Sequence, residues 1–255
     1  MRTVAIIQAR MSSTRLPGKV LIEFCKKPVL EHIVQRLETC KLIDDILIAT
    51  SDHNSDDKIE DFCIEKKLNI FRGSLYDVLD RYYKAAIEYK ADAIIRITGD
   101  CPLIDPQVVD KIIKTFHENQ CDLCGLSGEF PDGLDCSVFS FKSIEKAWKE
   151  AELKSEREHV GPYIEKNPDI FKIEHVYLFN NMEHLRWTLD TPEDKQLINE
   201  IYNELYNDND IFLTKDILEL LERRPNLLNI NDNIVRNEGY LISLNNDTAN
   251  NNEQR

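Results

Sequence analysis

The sequence predicts an α/β fold, a doubly wound and mostly parallel sheet, and three observations carry that prediction. Short aliphatic runs alternate with amphipathic helical segments through residues 1–125, the pattern of strands joined by crossover helices. The loops after those aliphatic runs carry the unusual polar residues, where parallel sheets covered on both faces bind ligands. At 255 residues and 42% hydrophobic content, the chain is also long and apolar enough for a full core.

Residues 4–7 form the first strand, and residues 8–19 the loop that follows it. Val29, Leu30, Ile33, Val34 and Leu37 recur on one helical face behind Pro28, a residue suited to a first turn. Residues 46–49 are the next strand, and Ile59, Phe62 and Cys63 mark the helix after it. A short strand at 69–71 leads to a helix over 76–88, then a strand over 93–97. Asp105-Pro106 makes an N-cap and first-turn pair for a helix over 107–117.

From about residue 126 the alternation lapses. Residues 131–135 read as a turn, 136–141 as a strand, and 144–152 as a helix. Glu158-His159-Val160 is expected to open a further helix, and 173–178 to form a strand. Residues 187–190 read as a short strand end, after which Thr191 caps and Pro192 starts a helix reaching about residue 206. A last helix spans about 214–223. No linker or repeat divides the chain, so 1–244 reads as one domain, with an Asn-rich tail over 245–255 expected to be disordered.

The formal charge is −14, which argues against a nucleic-acid binder. Residues 1–20 nevertheless hold Arg2, Arg10, Arg15 and Lys19 and no acid. Three of these cations share one tight loop with glycine, proline and hydroxyl residues, and cations so crowded repel one another unless an anion sits among them. A polyphosphate fits, because backbone N–H groups and Arg or Lys charges hold phosphate oxygens well. The plain alternative is a solvated basic loop. The seven cysteines are scattered through apolar segments and read as reduced core residues; Cys121 and Cys124 form a C-x-x-C with no second pair at zinc spacing. No apolar run approaches the ~18 residues of a membrane span and no signal-peptide pattern opens the chain, so a cytoplasmic location is expected.

Asp100 follows a strand on a glycine-containing loop, and Asp190 ends a second. Carboxylates so placed beside a phosphate site are natural Mg²⁺ ligands, since Mg²⁺ takes one or two carboxylates, phosphate oxygens and water. Each also has a local reading, Asp100 as a turn residue and Asp190 as the residue leading into the next helix. Trp148 and Trp187 read as core, His32 and His117 as ordinary helical residues, and Asp208-Asn209-Asp210 as a solvated turn despite its D-x-D spacing.

The run Ile7-Gln8-Ala9-Arg10-Met11-Ser12-Ser13-Thr14-Arg15-Leu16-Pro17-Gly18-Lys19-Val20-Leu21 resembles the signature loop of the sugar-nucleotide cytidylyltransferases, the group of CMP-Kdo and CMP-sialic acid synthetases, and most of all the SpsF family of spore-coat polysaccharide biosynthesis. Residues 96–105 resemble the family's metal-ligand segment, 131–135 its acceptor-sugar loop, and 186–194 its second metal motif. The likeness continues through Glu158-His159-Val160 to Asn237-Glu238-Gly239-Tyr240, with Gly161 standing where the family often has a hydroxyl residue. It implies a Rossmann-like nucleotide-diphospho-sugar transferase architecture. Residues 1–125 would bind nucleotide, 126–185 serve the acceptor or a homodimer contact, and 186–244 supply the second metal motif.

By the same resemblance, Gln8, Ala9, Arg10, Ser13, Lys19, Ser74, Arg81 and Asp100 would contact the nucleotide. Arg10, Arg15 and Lys19 would act on the triphosphate, Asp100 and Asp190 would bind Mg²⁺, and Asp132, Asp135 and His159 would line the acceptor site. The implied reaction transfers CMP from CTP to a sugar acid, or to a phosphorylated small molecule, and releases pyrophosphate. UTP and GTP remain open as nucleotides. A glycosyltransferase that binds a nucleotide sugar is the alternative enzyme, and a non-catalytic nucleotide-sugar binder the alternative class. No G-x-G-x-x-G follows the first strand, and Gly18-Lys19-Val20 lacks the P-loop hydroxyl, which disfavours a dinucleotide oxidoreductase and a P-loop kinase.

Overall fold

A computed structural model of the chain describes residues 1–236 together with residues 243, 244 and 247. The first half runs β1 (Thr3–Gln8), a small hairpin of β2 (Glu23–Phe24) and β3 (Lys27–Pro28), α1 (Val29–Leu37), β4 (Asp45–Ser51), α2 (Asp57–Lys66), β5 (Asn69–Gly73), α3 (Val78–Glu88), β6 (Ala93–Thr98) and α4 (Pro106–Asn119). The second half runs β7 (Leu123–Ser127), β8 (Ser137–Ser140), α5 (Phe141–Glu150), α6 (Lys154–His159), α7 (Pro162–Glu165), β9 (Ile173–Tyr177), α8 (Pro192–Leu205) and α9 (Thr214–Arg223).

Seven strands make one sheet in the order β5-β4-β1-β6-β8-β7-β9. All neighbours pair in parallel except β8, which runs against both β6 and β7. The expected doubly wound, mostly parallel sheet is therefore present. The chain leaves β1 toward β4 and β5, then returns to β6 on the other side of β1. That reversal opens a crevice beyond the carboxyl ends of β1 and β6.

Successive side chains of a strand point to opposite faces, and β1 feeds two cores accordingly. Ala5 and Ile7 pack with α1, α4 and α8, whereas Val4 and Ile6 pack with Leu79, Tyr82 and Ala86 of α3. The helix starts follow their caps: Asp77 accepts from the Asp80 amide, Asp105 from the Gln107 amide at 2.8 Å, and Thr191 from the Asp194 amide at 3.2 Å. The Asp77 cap delays α3 to residue 78, two positions later than periodicity alone suggests.

Three expectations from the second half need correction. Residues 123–127 form a strand where the alternation had seemed to lapse; Gly125 interrupts the apolar run because a Cβ there would stand 3.2 Å from Ser137 Oγ on β8. Glu158-His159-Val160 closes a helix and does not open one: Glu156 reaches back to the Leu153 amide at 3.3 Å, which sets the start of α6, and Val160 leaves the helix at φ 70°. Residues 187–190 belong to no strand. They dock through single bonds, from the Trp187 amide to the Asp132 carbonyl and from the Leu189 amide to the Asp100 carbonyl.

All seven cysteines are free thiols. Trp187 is buried in the core, and Trp148 stacks on Tyr83 and donates to Asp80. Among the described residues no helix is long and apolar enough to cross a membrane. The resemblance at residues 237–240 and most of the expected tail lie outside the described residues. Asp247 is described, and its carboxylate accepts a hydrogen bond from the Ser155 amide at 3.3 Å.

Candidate active site

The loop after β1 is a closed ring. Met11 O accepts from the Ser13 and Gly18 amides, both at 3.0 Å, and Gly18 completes the closure at φ 71°. The Met11 amide donates to Asp56 Oδ1 at 2.8 Å. Asp56 is fully buried, and its Oδ2 accepts from Thr50 Oγ1 at 3.1 Å, the Ser51 amide at 3.2 Å and Ser51 Oγ at 2.5 Å. Burial works against its charge, but the donors from Ser51, Met11 and Thr50 win and hold the carboxyl below its ordinary range. Asp56 thus ties the cationic loop to the end of β4. Nothing in the sequence marked it beyond its place shortly after a strand.

Lys19 reaches out of this ring into a cavity of about 590 Å³ over β1 and β6. Its Nζ lies 2.6 Å from Asp100 Oδ2 and 2.5 Å from Asp190 Oδ1, while Arg15 Nη2 lies 2.8 Å from Asp190 Oδ2. Burial disfavours the ammonium, but Asp100 and Asp190 more than restore it and raise its pKa. Asp100 is likewise penalised by burial, and Lys19 nonetheless holds it down to about 2. Two carboxylates therefore converge on one positive charge. Among the described residues no cluster of three or more metal-ligating side chains exists. The pair Asp100 and Asp190 still suits Mg²⁺, which needs few protein carboxylates when phosphate and water complete its shell.

Asp190 is held in place by a buried network in which the sequence reading gave Arg186 and Asp194 no role of their own. Arg186 grips Asp194 with two bonds, Nε at 2.9 Å and Nη2 at 3.0 Å, and sits 3.5 Å from Asp190. Asp194 in turn accepts from the amides of Asp190 and Thr191 and from Asn231 Nδ2. The other arm of Arg186 donates to Asp132 Oδ2 at 2.6 Å. Burial first, and Asp135 second, nevertheless push Asp132 up to about 6. Gly133 permits this contact: at φ 102° it passes so close to residues 187–188 that a Cβ would stand 2.6 Å from the Thr188 amide nitrogen.

The cavity gathers Gln8, Ala9, Arg10, Ser13, Arg15, Lys19, Arg81, Asp100, Asp132, Asp135, His159 and Asp190. Ser74 is placed otherwise. It lies beside a neighbouring cleft with Asp52, Arg72 and Tyr76, and its Oγ accepts from the Asp77 amide at 3.0 Å. Arg81 is 2% exposed, and its Nε and Nη1 have no hydrogen-bond partner, an arrangement that calls for an anion or acceptor in the cavity. His159 bonds Ser243 Oγ at 3.0 Å, and Ser243 donates to Glu158. Burial, then Arg96 and Arg10, hold the imidazole below its ordinary pKa. Arg96 on β6 also lines the cavity and was not foreseen.

A crevice at the strand reversal, lined by a cationic ring and a carboxylate pair, defines an α/β nucleotidyltransferase. The comparisons narrow the class. A cytidylyltransferase sequence profile matches residues 4–223. An uncharacterised protein of Methanocaldococcus jannaschii is 39% identical, over 94% of this chain and 98% of its own. The spore coat polysaccharide biosynthesis protein SpsF of Bacillus subtilis is 32% identical, over 86% of this chain and 94% of its own. The structure of a cytidylyltransferase from Leptospira borgpetersenii superposes with a TM-score of 0.85 at 32% identity, covering 92% of this chain and 98% of the other. The chain belongs to the cytidylyltransferase family.

Proposed function

We propose that the chain transfers CMP from CTP to a sugar acid or a similar acceptor, with Mg²⁺, and releases pyrophosphate in the synthesis of a surface-glycan precursor. The observation that carries this is the single cation, Lys19 Nζ, held between Asp100 and Asp190 under a loop that also presents Arg10 and Arg15. The acceptor oxygen attacks the α-phosphorus and loses its proton to solvent water, while the bond from that phosphorus to the bridging oxygen of pyrophosphate breaks. Negative charge builds on the equatorial and leaving oxygens, so charges placed in advance lower the barrier. Bound Mg²⁺ would supply Lewis-acid stabilisation of the phosphate oxygens between Asp100 and Asp190.

In this mechanism Lys19 turns from the carboxylates to the α-phosphate. Arg10 and Arg15 hold the departing pyrophosphate, Arg81 meets the nucleoside end, and Asp132, Asp135 and His159 line the acceptor side. The same proposal extends to a cytoplasmic enzyme, since CTP is supplied there, and to a homodimer through residues 126–185, which sedimentation would test. A screen of pyrophosphate release from CTP, UTP, GTP and ATP, against sugar acids and sugar phosphates, tests the function. Release with CTP and an acid supports it. Transfer from a nucleotide sugar without pyrophosphate release would replace it with a glycosyltransferase.

A further inference from the structure

Arg96 stands where the fold has most reason to place an apolar side chain. It lies on β6 two residues after Ile94, which belongs to the buried cluster between the sheet and α3, and side chains two apart share a face. Its Nε is buried without a hydrogen-bond partner, and the guanidinium has no ion pair among the described residues. Arg96 as a whole is half-buried, but a buried N–H without a partner is costly unless something compensates it. Arg96 lines the active-site cavity together with Glu158 and His159, and its charge acts on the His159 imidazole.

The register says which half of the cavity Arg96 serves. It pairs with Ile6 on β1, the strand that carries the cationic loop, and with Ser137 on β8, the strand entered directly from the turn with Asp132 and Asp135. Arg96 therefore stands at the boundary between the proposed nucleotide and acceptor halves. His159 is presented beside it by an unusual turn. The Gly161 amide donates to the His159 carbonyl at 2.8 Å around Val160, a fully buried β-branched residue at φ 70° and ψ −54°. Such a γ-turn is strained, and strain of this kind persists where the surrounding structure enforces it, commonly at ligand sites.

We propose that Arg96 is a specificity-determining residue that binds the anionic group of the acceptor, with His159 as its neighbour on the same group. The assignment rests on the transferase function proposed above, because only then is there an acceptor. A planar guanidinium fork suits a carboxylate or a phosphate equally, and both belong in the test.

The experiment compares wild type, Arg96→Gln and Arg96→Lys by steady-state pyrophosphate release. The acceptors are a sugar acid, its carboxamide, the corresponding sugar phosphate and the same sugar without its phosphate. Losing one charge-assisted pair predicts an acceptor KM about 10- to 100-fold higher in Arg96→Gln, with the CTP KM within about twofold. Arg96→Lys falls between, since it keeps the charge and loses the fork. Wild type prefers acid to carboxamide, or phosphate to its neutral sugar, and Arg96→Gln loses that preference. An unchanged preference, or a CTP KM that rises as much as the acceptor KM, overturns the assignment.

If no acceptor releases pyrophosphate, the transferase function fails by itself. The Arg96 Nε–H resonance of the full chain is then followed while 3-deoxy-manno-octulosonate or its carboxamide is added. A shift with the acid alone supports Arg96 as an anion site, and no shift with either overturns it.

Discussion

Replacing Asp56 with asparagine isolates what a single carboxylate does for the cationic loop. Oδ2 faces three donors, Thr50 Oγ1, the Ser51 amide and Ser51 Oγ, whereas Oδ1 faces the Met11 amide and, at a longer 3.3 Å, Ser55 Oγ. Hydroxyls can rotate to become acceptors, but backbone amides cannot. An asparagine therefore keeps its oxygen toward the Ser51 cluster and turns its NH₂ toward the Met11 N–H. That leaves one buried amide unsatisfied at the loop, a cost of about 1–3 kcal/mol.

Because the unpaired group lies at the start of the ring, the loop should loosen before the sheet does. Asp56→Asn should lower kcat/KM for CTP by about 5- to 150-fold. Urea unfolding should show a smaller loss than in Asp56→Ala, which leaves the Ser51 amide unpaired as well. The pH dependence gives a second reading. A carboxyl held below its ordinary 3.8 stabilises the fold fully above that pH and loses the contribution as pH falls through its lower folded value. The stability gap between wild type and Asp56→Asn should thus be constant from about pH 5 to 8 and narrow in acid. A variant with unchanged kcat/KM and a gap that widens in acid would refute the anchoring role.

Three further substitutions probe the rest of the site. Lys19→Ala should lower kcat by the equivalent of about 2.7–4 kcal/mol if Lys19 acts as one charge-stabilising donor, and an unchanged kcat removes it from the chemistry. The same variant leaves Asp100 and Asp190 facing each other, so Mg²⁺ alone should raise its melting temperature more than that of wild type. Arg186→Met strands Asp132 and Asp194 in the interior and should cost about 3–5 kcal/mol in chemical denaturation, since removing one partner of a buried ion pair leaves its charge uncompensated; a loss near zero would mean that water satisfies both carboxylates. Gly133→Ala should weaken acceptor binding and lower thermal stability together, because the Cβ would meet the backbone of residues 187–188 at 2.6 Å. Wild-type stability in that variant would show that the turn can open without harm.

Local features of the chain were legible where physics acts locally. The helices behind Asp105-Pro106 and Thr191-Pro192 start where capping and fixed φ place them, whereas Pro28 stands just before α1, at ψ 152° on β3, and not in its first turn. The excess of cations at residues 10–19 stood out against an acidic chain. β7 was missed because Gly125 breaks its apolar run, and only the close passage of Ser137 explains that glycine. The start of α6 was missed because its signal is Glu156 reaching back to an apolar N-cap, Leu153, which announces no helix. Asp56, Arg96 and Arg186 were given no role of their own: Arg96 and Arg186 only head the segments that the resemblance marked, and the partners Met11 of Asp56 and Asp132 of Arg186 lie 45 and 54 residues away.

The sequence by itself determined most elements of the first half, the cationic loop and the pair of aspartates suited to a metal, because periodicity, capping and charge excess are properties of short segments. Only the tertiary structure decided that Lys19 meets Asp100 and Asp190, 81 and 171 residues further along. The physical reason is the order of the strands. Placing β6 next to β1 brings the Asp100 loop against the Lys19 loop, and the Arg186–Asp194 network then sets Asp190 opposite. Neither juxtaposition can be read from spacing, since the contacts that enforce them are made only when the sheet is complete.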